Sequence, residues 1–269
     1  MRFTDPAKFS KRARLRAGLA VVLAGALILG CDRSPDPSAR VTSPPAGPDL
    51  PREGIGVRAG TDVTGQPGRS KGPAPDDRPV IVAFGDSLTA GLGISPDASY
   101  PAQLQRRLDE ASYRYRVLNA GVSGDTSAGG LRRLEWVLKA HPRIAIVEFG
   151  GNDGLRGLDV RQTKANLEAM IKRFQQAGVT VILAGMQLPP NYGKPYTDQF
   201  VRLYGELAQA YGVTLMPFFL EGVAARPALN QADGIHPTES GYRIIVDHVM
   251  NVLRPVVDAI PEDRPAWKE

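Results

Sequence analysis

From residue 80 to residue 257 the chain alternates between short, nearly continuous apolar runs and longer stretches with helical spacing. Few folds accept that pattern. The runs at 80–84, 116–118, 144–149, 179–184 and 213–218 suit strands buried on both faces, as in a parallel sheet. Between them, 100–111, 130–140, 160–177, 200–211 and 240–257 read as helices. The second is stopped by His141-Pro142; the third and fourth end at Gly178 and Gly212, where a glycine commonly closes a helix. Strand–helix alternation with short connections predicts an α/β domain, a doubly wound parallel sheet with right-handed crossovers and helices on both faces. No internal repeat is visible.

The segment ahead of this domain has a different character. Arg2, Lys8, Lys11, Arg12, Arg14 and Arg16 face only Asp5 within the first thirty residues, a surplus equal to the whole chain's formal charge of +5. The remainder is formally neutral, so the basic pI implies no nucleic-acid partner. The basic stretch leads into an apolar run at 19–29, shorter than the roughly 20 residues of a spanning helix, and reads as an export signal. Its end, Ile28-Leu29-Gly30-Cys31, resembles the lipobox of bacterial lipoproteins, in which the cysteine becomes the acylated first mature residue. Residues 1–30 are therefore expected to be a lipoprotein-type signal peptide, with Cys31 as the lipid attachment site. The expected location is the periplasm-facing bacterial envelope, with the membrane as partner through that anchor. A plain secretory peptide or an uncleaved anchor are the alternatives. Cys31 is the only cysteine, so no intramolecular disulfide supports the fold. Residues 32–79, dense in Pro, Gly and Ser, lack the apolar content to offset ordering entropy and read as a disordered tether. Residues 258–269 read as a tail.

In a doubly wound sheet, ligands sit at the carboxyl ends of the strands. Gly85-Asp86-Ser87-Leu88 follows the first run, Asn119 to Asp125 the second, and Gly150-Gly151-Asn152-Asp153 the third. Small and polar residues thus gather at three successive strand ends. A serine nucleophile needs a base, and there are three histidines. His141 lies at a helix end before a proline, and His248 within the last helix. His236, in Asp233-Gly234-Ile235-His236-Pro237, follows the last strand, and a loop Asp three residues earlier can fold back to accept the imidazole Nδ1–H. Ser87 could equally be a helix N-cap, Asn152 and Asp153 turn residues, Asp233 an Asx turn and Gly124 a left-handed backbone position. Asp86 is expected to be structural, holding loop amides beneath the site.

Gly85-Asp86-Ser87-Leu88, Gly124, Gly150-Gly151-Asn152-Asp153 and Asp233-x-x-His236, in that order, resemble the signature blocks of the SGNH (GDSL-type) hydrolases. Ser123 to Ser127, Gly151 to Gly157 and Met186 to Gly193 are similar to one branch, the bacterial acyl-CoA thioesterases, lysophospholipases and arylesterases. The resemblance spans roughly 80–257. It implies a flavodoxin-like three-layer α/β/α sandwich, with a five-stranded parallel sheet in the order 2-1-3-4-5. It implies Ser87 as nucleophile, His236 as general base then acid and Asp233 as its orienter. It further implies an oxyanion hole made of the Ser87 and Gly124 N–H groups and the Asn152 side-chain amide. The function so implied is hydrolysis of carboxylic esters and thioesters through an acyl-enzyme on Ser87. Small acyl esters or lysophospholipids are the expected substrates, without cofactor or metal, by a monomer. The loop 186–193 and the segment after Asn152 are expected to shape an acyl pocket. Two rivals are a metal-dependent phosphoesterase built on Asp86, Asp125, Asp153, Asp233 and His236, and a non-catalytic lipid- or glycan-binding lipoprotein.

Overall fold

A computed structural model describes residues 76–260. The expected signal peptide, Cys31, most of the tether and residues 261–269 of the tail lie outside the described residues. In chain order the elements are β1 (Val80–Gly85), α1 (Ser87–Ala90), α2 (Tyr100–Glu110), β2 (Arg116–Gly121), α3 (Ser127–Leu138), β3 (Pro142–Glu148), α4 (Gly151–Leu155), α5 (Val160–Gln176), β4 (Thr180–Ala184), α6 (Lys194–Tyr211), β5 (Thr214–Met216) and α7 (Glu239–Asp258). The strands form one parallel sheet in the order β2-β1-β3-β4-β5. Helices α2 and α7 pack together, and α3, α5 and α6 pack in series, which gives three layers.

The apolar runs become strands because both faces are covered. Every residue of β1 and β3 is buried, and removing such side chains from water is the main term favouring the fold. The Phe84 ring meets Phe149 at 4.8 Å and Phe174 at 5.8 Å, both edge to face, locking the sheet to the α3–α5 layer. Register then places the site. Gly85 pairs with Gly121 on one side and with Glu148 on the other, so the carboxyl ends of β1, β2 and β3 finish level.

Element ends differ from expectation for local reasons. β2 runs on to Gly121, because Asn119 and Ala120 satisfy the ladder with β1 despite their weak apolar character. β5 stops at Met216 before Pro217, which has no N–H to donate. α6 begins at Lys194, six residues early, since Pro195 falls in its first turn where that N–H is not needed. α3 begins at Ser127, capped by the Thr126 hydroxyl, which accepts the Gly129 N–H. The single-turn helices α1 and α4 are too short to show a period. Residues 76–79, expected in the tether, line the sheet edge: Arg78 reaches the Tyr115 carbonyl at 3.3 Å, and the Pro79 carbonyl accepts the Arg116 N–H at 2.9 Å.

Candidate active site

Ser87 is the first residue of α1, one residue beyond the end of β1, and is 8% exposed. As a first-turn residue its N–H has no intrahelical acceptor. Asp86 takes the capping place: its Oδ1 accepts the Leu88 N–H at 3.0 Å. The N-cap is thus the aspartate, and Ser87 Oγ is left to meet His236 Nε2 at 2.9 Å. His236 Nδ1 lies 2.7 Å from Asp233 Oδ2, and Asp233 Oδ1 accepts the N–H groups of Ile235 and His236 at 3.0 Å each. Those two backbone donors, with the imidazole beside them, hold the Asp233 carboxyl at about 2, below the usual carboxylate range. The Asx turn and the contact with histidine are therefore both made, one by each carboxylate oxygen.

Gly124 has a φ of +82°, a left-handed conformation that favours glycine. Its N–H makes no hydrogen bond among the described residues. Two arginines hold its loop. Arg156 Nη2 donates to the Gly124 carbonyl at 2.9 Å. Arg133 donates to Asp125, to the Ala120 carbonyl and to the Gly85 carbonyl at 2.7–2.8 Å, joining the ends of β1 and β2 to that loop. Asn152 lies in the first turn of α4. The helix is entered through its N-cap Gly150, with φ +114°, where a Cβ would stand 2.2 Å from Tyr204 Oη. One Asn152 Nδ2 hydrogen goes to Asp86 Oδ2 at 3.0 Å, leaving the other available. Asp86 therefore does more than hold loop amides: it also orients the asparagine.

Ser87, Gly124, Asn152 and His236 all line one cavity of about 490 Å³. Its walls are mainly apolar. Met186, Leu188 and Pro190 come from the loop after β4, and Leu155 from the segment after Asn152, as expected; Phe218 and Leu220, beyond β5, were not anticipated. The carboxylates of the metal rival do not converge. Asp125 is paired with Arg133, Asp153 accepts from Ser127 N and Oγ, and no cluster of three possible ligands occurs among the described residues. Of the expected site residues, the structure brings Ser87, Asp233, His236, Gly124 and Asn152 together, whereas Cys31 lies outside the described residues.

Sequence reasoning missed Arg133 and Glu148. Glu148 is fully buried at the end of β3, and its Oε2 accepts from Thr89 Oγ1 at 2.8 Å and from the Asp86 N–H at 3.3 Å. Its signal was a lone acid inside the apolar run 144–149. Such a group is almost never buried without a partner.

Comparison with known proteins agrees with this geometry. A profile of the GDSL-like lipase/acylhydrolase family matches residues 83–244. "Esterase TesA" of Pseudomonas aeruginosa is 44% identical over 178 residues, covering 66% of this chain and 89% of that protein. "Thioesterase 1/protease 1/lysophospholipase L1" of Escherichia coli K12 is 41% identical over 179 residues, covering 66% and 85%. Among solved structures, the psychrotrophic esterase EstA from a Pseudoalteromonas species, inhibited by monoethylphosphonate, superposes with a TM-score of 0.64 at 32% identity, covering 66% of this chain and 98% of that one. A strand-end serine hydrolase site on a 2-1-3-4-5 sheet and these matches agree: the chain is an ester hydrolase belonging to the GDSL-like lipase/acylhydrolase family.

Proposed function

We propose that Ser87 is the nucleophile of an acyl transfer in which His236 is the base and Asp233 its orienter. The observation that carries this reading is the continuous contact from Asp233 through His236 to Ser87, opening into an apolar cavity. His236 Nδ1–H donates to ionised Asp233, which leaves Nε2 as acceptor for the serine proton. Ser87 Oγ attacks the acyl carbon and His236 takes the proton. The carbonyl oxygen becomes an oxyanion, stabilised by the N–H groups of Ser87 and Gly124 and the free Asn152 N–H. Preorganised donors of this kind contribute about 3 kcal/mol each. The tetrahedral intermediate expels the alcohol or thiol, which receives the proton from His236. Water then attacks the acyl-enzyme with His236 again as base, releasing the acid and restoring Ser87.

Small-molecule esters are the substrates of this reading, with the acyl chain against Met186, Leu188 and Phe218. An envelope ester such as a lysophospholipid suits a chain with an export signal better than a cytosolic acyl-CoA. Ser87→Ala is expected to abolish hydrolysis of p-nitrophenyl esters, lysophospholipid and palmitoyl-CoA alike while the circular dichroism is unchanged; retained turnover would end the assignment. Anchorage through Cys31 on the periplasmic side rests on the sequence 1–31 and is checked by the mass of the mature N-terminus.

A further inference from the structure

One buried acid is not used by this mechanism. Glu148 lies directly beneath the turn that carries Ser87, and both donors to its Oε2, Thr89 Oγ1 and Asp86 N, belong to that turn. A Cβ on Gly85 would stand 2.5 Å from Glu148 Oε2 and 2.1 Å from Thr89 Oγ1. The glycine ahead of Asp86 is therefore required because this network occupies the place of a side chain. Asp86 connects Glu148 to the site: one of its oxygens accepts from Leu88 N and the other from Asn152 Nδ2.

Two neighbouring carboxyls, one fully buried and one at the cavity wall, disfavour each other's ionised form. Oε2 of Glu148 accepts from Thr89 Oγ1 and from the Asp86 N–H, while Oε1 is buried with no hydrogen-bond partner among the described residues, a setting that disfavours the ionised form. Burial raises Glu148 well above the usual carboxyl range, and the adjacent Asp86 raises it further. Burial also raises Asp86, while the hydrogen bonds from Leu88, Asn152 and Glu148 oppose that rise. The other titratable groups facing the pair are Tyr100 of α2, Tyr204 of α6 and Tyr242 of α7, all phenols held neutral by burial, together with His236 across Asp86. Arg133 of α3 spends its guanidinium on Asp125 and on carbonyls at the strand ends.

We propose that Glu148 is a positioning residue for hydrolysis: by accepting the Asp86 N–H and the Thr89 hydroxyl it fixes the turn from which Asp86 holds the Asn152 amide, and so aims the free Asn152 N–H at the substrate carbonyl oxygen. This rests on the roles given above to Ser87, His236 and Asn152. Glu148 touches no substrate and acts through Asp86 and Asn152.

The test is a double-mutant cycle on the full chain with p-nitrophenyl butyrate, each variant checked for its thermal transition. Glu148→Ala is expected to lower kcat about tenfold or more, with KM changed less than about threefold, because an oxyanion donor acts in the transition state. If the alanine variant does not fold, the near-isosteric Glu148→Leu carries the same expectation. Glu148→Gln keeps an oxygen that can accept from both the Asp86 N–H and Thr89, and is expected to recover kcat to within about fivefold of the parent. In an Asn152→Ala background, removing Glu148 is expected to cost less than about threefold more, since residues acting in one chain are not additive. Full multiplication of the two losses, a loss carried by KM, or failure of Glu148→Gln to recover activity would each overturn the inference. Ser87→Ala run in parallel separates the two levels: a live Ser87→Ala removes the underlying site, whereas a dead Ser87→Ala beside a fully active Glu148→Ala removes only the role of Glu148.

Discussion

For single residues, hydrogen bonds in this site decide which protonation state and which tautomer are present. Asp233 is the clearest case, because two backbone N–H groups keep it ionised throughout the range where an imidazole titrates. Asp233→Asn would replace an acceptor facing Nδ1 with an amide that can donate, favouring the tautomer whose Nε2–H cannot take the serine proton. In the serine-protease triad this substitution costs about 10⁴ in kcat. Here the Asp233 side chain is 45% exposed, and water can replace part of its orienting role. The expected loss is about 10²- to 10³-fold in kcat, measured by steady-state kinetics with an unchanged fold; activity within threefold would show that His236 is oriented without it. Ser87, Asp233 and His236 were readable because loop residues three apart and a serine just past a strand are local patterns. Glu148 was not, because its meaning depends on the register of β3 against β1 and on a turn about sixty positions earlier. Asp86 was read only in part, for the same reason.

Among the secondary-structure elements, glycines inside helices show how packing overrides propensity. Replacing a helical glycine with alanine ordinarily stabilises by about 0.5–1 kcal/mol. Gly205 in α6 is exposed, and a Cβ there would meet nothing within 4 Å, so Gly205→Ala is expected to stabilise by that amount. Gly130 in α3 is buried, and a Cβ there would stand 2.5 Å from the Phe149 ring. Gly130→Ala should destabilise by about 1–3 kcal/mol through overpacking, despite the gain in propensity. Urea unfolding of the two variants checks both signs, and stabilisation by Gly130→Ala would mean that α3 is free to move off the sheet. The same balance explains what was legible in the elements. The five apolar runs announced the five strands because burial on both faces demands such runs. The ends of β2, β5 and α6 were misjudged because ladder partners and first-turn geometry, not hydrophobicity, decide where an element stops. Nothing periodic marks α1 or α4, the two single turns that carry Ser87 and Asn152.

Across the whole molecule, the sheet order brings Ser87 within hydrogen-bond distance of His236 across 149 positions of sequence, and it also sets a buried acid at the centre of the domain. That acid has a consequence for stability. Burial and the adjacent Asp86 raise the Glu148 carboxyl well above its value near 4.5 in the unfolded chain. Above pH 4.5 the unfolded chain therefore binds fewer protons than the fold at this group, and the contribution of Glu148 declines as pH rises towards its folded value. The slope is about 1.4 kcal/mol per pH unit for one group. Asp86, raised to about 6, acts in the same direction between 3.8 and 6, whereas Asp233, lowered to about 2, acts oppositely and only as pH falls below 3.8. From pH 6 to pH 8 the difference between the parent chain and Glu148→Gln reports the Glu148–Asp86 pair, since glutamine has no proton to lose and the Asp86 titration is centred at the lower edge of this interval. The glutamine variant is expected to gain in unfolding free energy relative to the parent as pH rises over that interval, measured by urea unfolding at matched salt. A gap that stays constant from pH 6 to pH 8 would mean that Glu148 is ionised in the fold. A gap that widens shows an acid whose burial lowers stability at neutral pH, as expected of a group retained to aim the Asn152 amide rather than to hold the sheet together.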